Sequence, residues 1–328
     1  MALLGAVFFG FVPMFLFAAF VNWLDRYEKE PKVLLGGAFV WGVVIAGGGA
    51  YILNTGFGIG IYLFTGSEAA ADFGTTSIVA PIIEEALKGL AVLVVFLLFR
   101  KEFDSILDGV VYGAMAGLGF AAIENVLYIY RNGYQEAGWE GFWFLVIVRV
   151  VLVGWMHPFF TAFTGIGFAI ARINRNLPVK IIAIPAGYTV AVLTHSFHNT
   201  FGTLVGGEGG FFLGLIADYF GYFIMTVFII WMIINERNIL KRQLVEEVNT
   251  GAITRKQYDT AISFFQFNAH LAALTSGSFG PTKRFYQVLG ELAHKKEQLT
   301  RVGDESGNMK LIEGYRAELS KLAPLAKA

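Results

Sequence analysis

SIVAPIIEEALKGLAVLVVFLLF, residues 77–99, is an apolar run long enough to cross a bilayer, and it carries Glu84, Glu85 and Lys88 in its interior. Hydrocarbon tolerates an ionised side chain only where it faces protein or water and finds a partner. An unpaired carboxylate there costs about 3 kcal/mol even on lenient insertion scales. Glu84 and Lys88 are i,i+4 and Glu85 and Lys88 are i,i+3, so one ammonium can lie beside either carboxylate on a single helical face. The glutamate left over is free to act as a general base. A purely structural ion pair is the competing reading, but two carboxylates against one lysine are too acidic for that purpose.

The rest of the chain reads as membrane protein. It is 55% hydrophobic and only 15% charged, and apolar stretches of about twenty residues recur. Seven spans are expected, at 3–23, 33–64, 77–99, 106–130, 141–172, 178–204 and 211–234. The second and fifth are too long for one straight crossing, and Gly47-Gly48-Gly49 and Pro158 are the expected places for a break or kink. The first span lacks a basic n-region and exceeds the length of a signal-peptide core, so a retained helix is expected. Arg26, Lys29 and Lys32, then Arg100 and Lys101, then Arg172, Arg175 and Lys180 follow alternate spans. The intervening loops hold Glu68 and Asp72, Arg131 against Glu136 and Glu140, and the nearly uncharged 206–210. The positive-inside rule then puts the N-terminus outside and the C-terminal tail in the cytoplasm of a multi-pass cell-membrane protein.

Composition changes near Asn235, which divides the chain into a transmembrane domain, 1–235, and a cytoplasmic helical tail, 236–328. Fourteen of the 25 Lys and Arg residues lie in the tail, against ten acidic residues. Short helices are expected at 236–248, at 254–268 with Thr254 as N-cap, from Pro281, and after a turn at 303–307. Basic and acidic residues alternate there, so no nucleic-acid partner is expected. A small module for self-association or for a cytoplasmic partner is the simplest use. The chain has no cysteine, which excludes disulfides and thiolate chemistry.

Polar residues inside the other spans supply further chemistry. Gly109, Gly113 and Gly117 are spaced by four and form a groove for a neighbouring helix backbone, and Glu124-Asn125 follows in the same span. His157 precedes Pro158, and His195 and Asn199 are i,i+4 on one face, with His198 between them. A lone membrane histidine is usually just packed and hydrogen-bonded. Three glutamates and three histidines over four spans are harder to explain that way. At about 1.5 Å of rise per residue, Glu84, Glu124 and His195 converge on one level in the outer half of the bilayer, and His157 can tilt to meet them. Glutamate and histidine ligands with one open position suit a catalytic zinc, and a further glutamate can deprotonate its water. No His-Glu-x-x-His occurs, which excludes the standard zincin arrangement.

With these residues in place the chain resembles the PrsW family of intramembrane proteases, related to the CAAX prenyl endopeptidases and bacteriocin-processing enzymes. The matching elements are Asp25-Arg26-Tyr27-Glu28, Glu84-Glu85-x-x-Lys88, Asp108-Gly109 through Gly119-Phe120-x-x-x-Glu124-Asn125, His157-Pro158 and His195-x-x-x-Asn199. They cover most of residues 1–235, and the tail lies outside them. His198 departs from the family, whose members often carry an aromatic residue before the asparagine.

The resemblance implies an all-α transmembrane bundle that hydrolyses a peptide bond of a single-span membrane protein near its extracytoplasmic side. In related bacteria such enzymes cleave anti-sigma factors. On this reading Glu84 activates water, with Glu85 paired to Lys88 or sharing the task. Glu124, His157 and His195 hold a divalent metal, zinc by the donor set, and Asn199 donates to the oxyanion. The same residues suit a metal-free version in which a glutamate and a histidine activate water. Two rival classes use other features. A proton- or ion-coupled transporter would employ Arg149 and Asp218, but the halves show no clear inverted repeat. A non-catalytic scaffold or sensor would act through the tail, but it has no need of the intact polar set.

Overall fold

The computed structural model describes residues 1–205, 207–304 and 307–328, and the side chains of all of these except 202–205 and 207–209. Gly206 of the expected outer loop and Glu305 and Ser306 of the expected tail turn lie outside the described residues. The described residues form helices and no strand. They group into two compact units. One comprises Met1–Trp23, Glu30–Arg172 and Pro178–Phe228; the other comprises Leu24–Lys29, Ile173–Leu177 and Ile229–Ala328.

In the first unit α1 spans Ala2–Leu24, and α2 (Lys32–Trp41) passes through a π-helical turn, Gly42–Ala46, into α3 (Gly47–Thr65). The glycine triplet at 47–49 therefore does not break the span. Its neighbours are packing points instead: a Cβ on Gly42 would stand 2.2 Å from the Ala116 carbonyl oxygen. The short α4 (Glu68–Gly74), capped by Ser67, leads through a second π turn, Thr75–Val79, into α5 (Ala80–Leu98). Then come α6 (Ile106–Leu127), opened by a Ser105–Asp108 capping box, a π segment Tyr128–Gln135, and α7 (Glu136–Val146). The helical path reverses at Ala137 and Gly138, where Gly138 takes φ 62°, ψ −146°, a conformation that side chains disfavour. Beyond the reversal Gly133 and Gly141 meet backbone to backbone.

A π segment, Ile147–Leu152, ends at Val153 (φ −118°), and α8 (Met156–Ile173) begins anew. The expected kink at Pro158 is thus displaced. The break precedes His157, and Pro158 sits in the first turn of α8, where its missing N–H costs no bond. The unit closes with α9 (Leu177–Val205) and the first part of α10 (Gly207–Gln243).

Among the described residues, five helical stretches are long and apolar enough to cross a membrane: Ala2–Leu24, Lys32–Thr65, Ile106–Ile173, Leu177–Phe201 and Gly210–Asn249. The third contains both the fourth and fifth expected spans, and α5 stands apart because of its three charged side chains. Exposed Phe, Leu, Ile and Trp side chains along α1, α3, α9 and α10 match an apolar solvent rather than water. The chain is a helical membrane bundle.

What positions the site is the contact of α6 with α8. A Cβ on Gly165 would lie 1.8 Å from the Gly109 carbonyl oxygen. One on Gly113 would lie 2.6 Å from that of Thr161, and one on Gly117 would lie 2.6 Å from that of His157. The glycine groove read from the sequence therefore receives α8 backbone to backbone, and it fixes where His157 and Thr161 stand.

In the second unit α10 runs on to Gln243, because nothing from Tyr222 to Gln243 is Gly or Pro, and the expected separate helix at 236–248 does not form. The units accordingly divide at Phe228/Ile229, earlier on the same helix than the composition change. After α11 (Val245–Asn249), Thr254 caps α12 (Arg255–Ala261) with Gln257 as its capping-box partner. Three further helices follow: α13 (Phe267–Thr275), α14 (Phe279–Val302) and α15 (Asn308–Leu322). Phe285, Val288, Leu289, Leu292 and Leu319 are fully buried among them. Buried Glu247 accepts from Lys296 at 2.9 Å and from Arg316 at 2.7 Å, and so ties α11 to α14 and α15.

Gly165→Ala should destabilise the protein by about 1–3 kcal/mol or more through overpacking. Gly48→Ala, where a Cβ meets nothing within 4 Å, should be neutral or stabilising by up to about 1 kcal/mol. Thermal unfolding in detergent compares the pair. Glu247→Ala should cost about 1.5–3 kcal/mol by removing charged hydrogen bonds, read as earlier melting and faster proteolysis of the tail.

Candidate active site

Pro81 begins the construction of the site. Lacking an N–H, it leaves the carbonyls of Thr76 and Ser77 without a partner from its own position, five and four residues on respectively. Two side chains of α9 take them: Ser196 donates from Oγ to the Ser77 oxygen, and Asn199 donates from Nδ2 to the Thr76 oxygen at 2.9 Å. Tyr188 adds a hydrogen bond to the Ile82 oxygen at 2.8 Å. Helix α9 is thereby docked along α5 with His195 facing the two glutamates.

Glu85 is fully buried and satisfied three times over. It accepts from Lys88 Nζ at 2.6 Å, from Thr161 Oγ1 at 2.9 Å, and from His195 Nδ1 at 2.9 Å. The carboxylate assigns the proton of His195 to Nδ1, which leaves Nε2 as a lone pair. Nε2 lies 3.8 Å from Glu84 Oε2. Phe160 stacks on the His195 ring at 4.6 Å and holds its plane.

Glu84 differs from its neighbour. Its Oε1 accepts from Asn54 Nδ2 at 3.2 Å, and Lys88 Nζ is 3.8 Å from its Oε2. That Oε2 is buried without a hydrogen-bond partner. A bare buried carboxylate oxygen is costly, so its position asks for a cation or a water.

His157 is bridged on both sides. Lys88 Nζ donates to Nδ1 at 3.1 Å, and Nε2 then donates to Glu124 Oε2 at 2.7 Å. Glu124 also binds the Arg149 guanidinium, whose Nε donates to Asn125 Oδ1 at 3.1 Å and whose face lies 3.9 Å over the Tyr128 ring. A cavity of about 290 Å³ opens among Asn54, Glu84, Glu124, His157, His195 and Asn199.

All the residues expected at the site therefore meet in one place, but the three whose donor atoms lie closest together are not the three expected as metal ligands. Glu84, His157 and His195 each offer a donor atom within 4.8 Å of the other two. Glu124 is not in that group, and Arg149 and His157 both bind its Oε2. The set fits a metal at Glu84 and His195 as they stand: a bare oxygen faces an imidazole nitrogen whose other nitrogen is held by a carboxylate, as in carboxylate–histidine–metal triads. His157 joins them by giving up one of its two hydrogen bonds. Asn199 lines the cavity, with its amide directed at Thr76.

Arg149 and Asp218 do not form a relay with one another. Arg149 belongs to Glu124, and Asp218 accepts from His198 Nδ1 at 2.9 Å. Asn54 and Thr161 escaped the sequence reading. The one available signal was their polarity within apolar helices, together with the four-residue spacing of Thr161 from His157.

Residues 30–233 match the model of a family described as PrsW family intramembrane metalloprotease. The chain is 31% identical to the Protease PrsW of Geobacillus kaustophilus over 148 residues, 45% of this chain and 58% of that protein. It is 23% identical to the Protease PrsW of Bacillus subtilis over 207 residues, 63% of this chain and 82% of that protein. With the Protease PrsW of Clostridioides difficile it shares 30% over 132 residues, 38% and 51% of the two chains. The match thus spans less than two thirds of the Geobacillus and Clostridioides proteins. No solved structure matches the fold. The match covers well over half of the chain and encloses every residue of the cluster around Glu85, and the chain belongs to the PrsW family of intramembrane metalloproteases.

Proposed function

We propose that this protein is an intramembrane protease that hydrolyses a peptide bond of a single-span membrane protein. The observation that carries the proposal is the bare, buried Glu84 Oε2 facing His195 Nε2 across a cavity lined by polar side chains. Glu84, His157 and His195 would hold a divalent ion, and zinc suits two imidazoles and one carboxylate with a position left open. When bound, such an ion supplies Lewis-acid polarisation of the scissile carbonyl and of water.

The remaining work falls to the chain's own groups. Glu85 holds His195 in one tautomer through Nδ1. Lys88, between Glu85 and His157, neutralises the excess of negative charge. Glu124 stands on the other side of His157, where Oε1, the carboxylate oxygen that neither Arg149 nor His157 binds, accepts the proton of the attacking water and returns it to the leaving amine nitrogen as the C–N bond breaks. Arg149 holds that carboxylate in place. Asn199, at the cavity wall, orients the substrate carbonyl if its amide exchanges Thr76 for the oxyanion, an interaction of about 3 kcal/mol.

The basic loops support an extracytoplasmic site. Glu84, Glu124, His157 and His195 all lie toward the helix ends remote from Arg100, Arg172 and Arg175. The positive-inside rule makes that the extracytoplasmic side, with the N-terminus outside and the tail in the cytoplasm. An anti-sigma factor is the substrate class that the family resemblance suggests, and the tail would serve self-association or a cytoplasmic partner.

Glu84→Gln and Glu124→Gln separate the two carboxylates. The first should lose both bound zinc and cleavage of single-span substrates. The second should keep zinc and lose cleavage by about 10²–10⁴-fold. Metal analysis of the purified proteins and a gel-based cleavage assay read the two effects. Wild-type rates in Glu124→Gln would remove its proton-transfer role, and cleavage by a zinc-free wild type would remove the metal.

A further inference from the structure

Helix α13 is inside-out for a helix that faces water. It turns Ala269 and Ala273 inward, both buried, and its bulky apolar residues outward. Phe267, Leu271 and Leu274 stand at i, i+4 and i+7 on one face and are 68%, 51% and 56% exposed. Phe265, in the turn before the helix, is 73% exposed. No Asp, Glu, Lys or Arg occurs between Asp259 and Lys283. A contiguous exposed apolar face of this kind marks an interaction surface.

Its surroundings identify what it meets. The same unit contains the last apolar turns of α10, where Ile230, Trp231 and Ile234 are exposed on a stretch apolar enough to cross a membrane. Three residues beyond Ile234, Arg237 donates to the Ile262 oxygen at 2.6 Å, and its guanidinium lies 4.6 Å from the centre of the Phe264 ring. Arg26, two residues past the end of α1, donates to the Phe264 oxygen at 3.3 Å. Arginines at the ends of spanning helices sit among lipid headgroups. The segment entering α13 is therefore pinned at two points to the level where hydrocarbon gives way to headgroups. An uncharged helix with an apolar face, held at that level, has the lipid itself as its adjoining apolar phase.

We propose that α13 is an interfacial anchor. Its Phe265, Phe267, Leu271 and Leu274 side chains are seated in the headgroup–acyl boundary of the leaflet at which α1 and the apolar part of α10 end. This seating holds the tail against the membrane and is independent of the protease reading, since it requires only that α1 and α10 cross the bilayer.

The absence of cysteine makes the test direct. Single cysteines at Phe267→Cys, Leu271→Cys and Thr275→Cys are spin-labelled in the full chain, in nanodiscs that hold one copy each. Glu313→Cys, exposed on α15, serves as the aqueous control. Thr275 lies at the end of the same helix, and its replacement removes none of the apolar anchors. Collision rates with oxygen, which partitions into lipid, are compared with those of a water-soluble nickel chelate. Oxygen should dominate at 267 and 271, with 275 shifted the same way, and nickel should dominate at 313. Nickel dominance at 267, 271 and 275 would overturn the anchor and leave the face to a second copy or to a soluble protein.

Discussion

The site depends on the burial of Glu85. A carboxylate with no exposed surface inside a membrane protein persists only if the protein supplies all of its partners, and three different helices do so here: α5 through Lys88, α8 through Thr161 and α9 through His195. Removing Lys88 would leave uncompensated charge in a low-dielectric interior, and removing Thr161 or His195 would leave a buried acceptor unsatisfied. The same contacts that make the glutamate tolerable therefore fix the positions of the three helices. Lys88, equally buried, is shared between Glu85 and His157, so the positive charge that stabilises one carboxylate also orients the imidazole that meets another.

Around that centre, irregular backbone does much of the aiming. The π turn Thr75–Val79 and Pro81 expose carbonyls that α9 needs for docking, and the break at Val153 lets α8 start where His157 can reach Glu124. Wide turns in membrane helices are tolerable only where side chains or neighbouring helices take up the freed backbone groups. Ser196 and Asn199 meet that requirement directly. The glycine stripe of α6 contributes in a different way. Without side chains, it lets the backbone of α8 come close enough for Thr161 to reach Glu85.

The two glutamates at 84 and 85 illustrate how adjacent residues of one type acquire different tasks. A rotation of about 100° per residue turns Glu85 into the core between α8 and α9 and leaves one oxygen of Glu84 at the cavity. Glu124, remote in sequence, is held by a guanidinium and an imidazole. Three carboxylates thus face three electrostatic environments, the ordinary means by which one fold separates structural from reactive acids.

The amino-acid sequence by itself determined the class of the molecule, because length and polarity of helical runs are local properties that hydrocarbon judges segment by segment. It also determined that Lys88 lies beside Glu84 or Glu85, since three- and four-residue spacings share one helical face whatever surrounds it. The glycine groove for a neighbouring helix was legible for the same reason. Which helix fills that groove was not, nor was which carboxylate keeps a bare oxygen. Asn54 reaching Glu84, Arg149 claiming Glu124 and Asp218 claiming His198 are contacts between helices distant in sequence. Only tertiary packing decided them, because a donor's partner is set by helix rotation and by a separation of a few ångströms, neither of which is encoded in the spacing along any one helix.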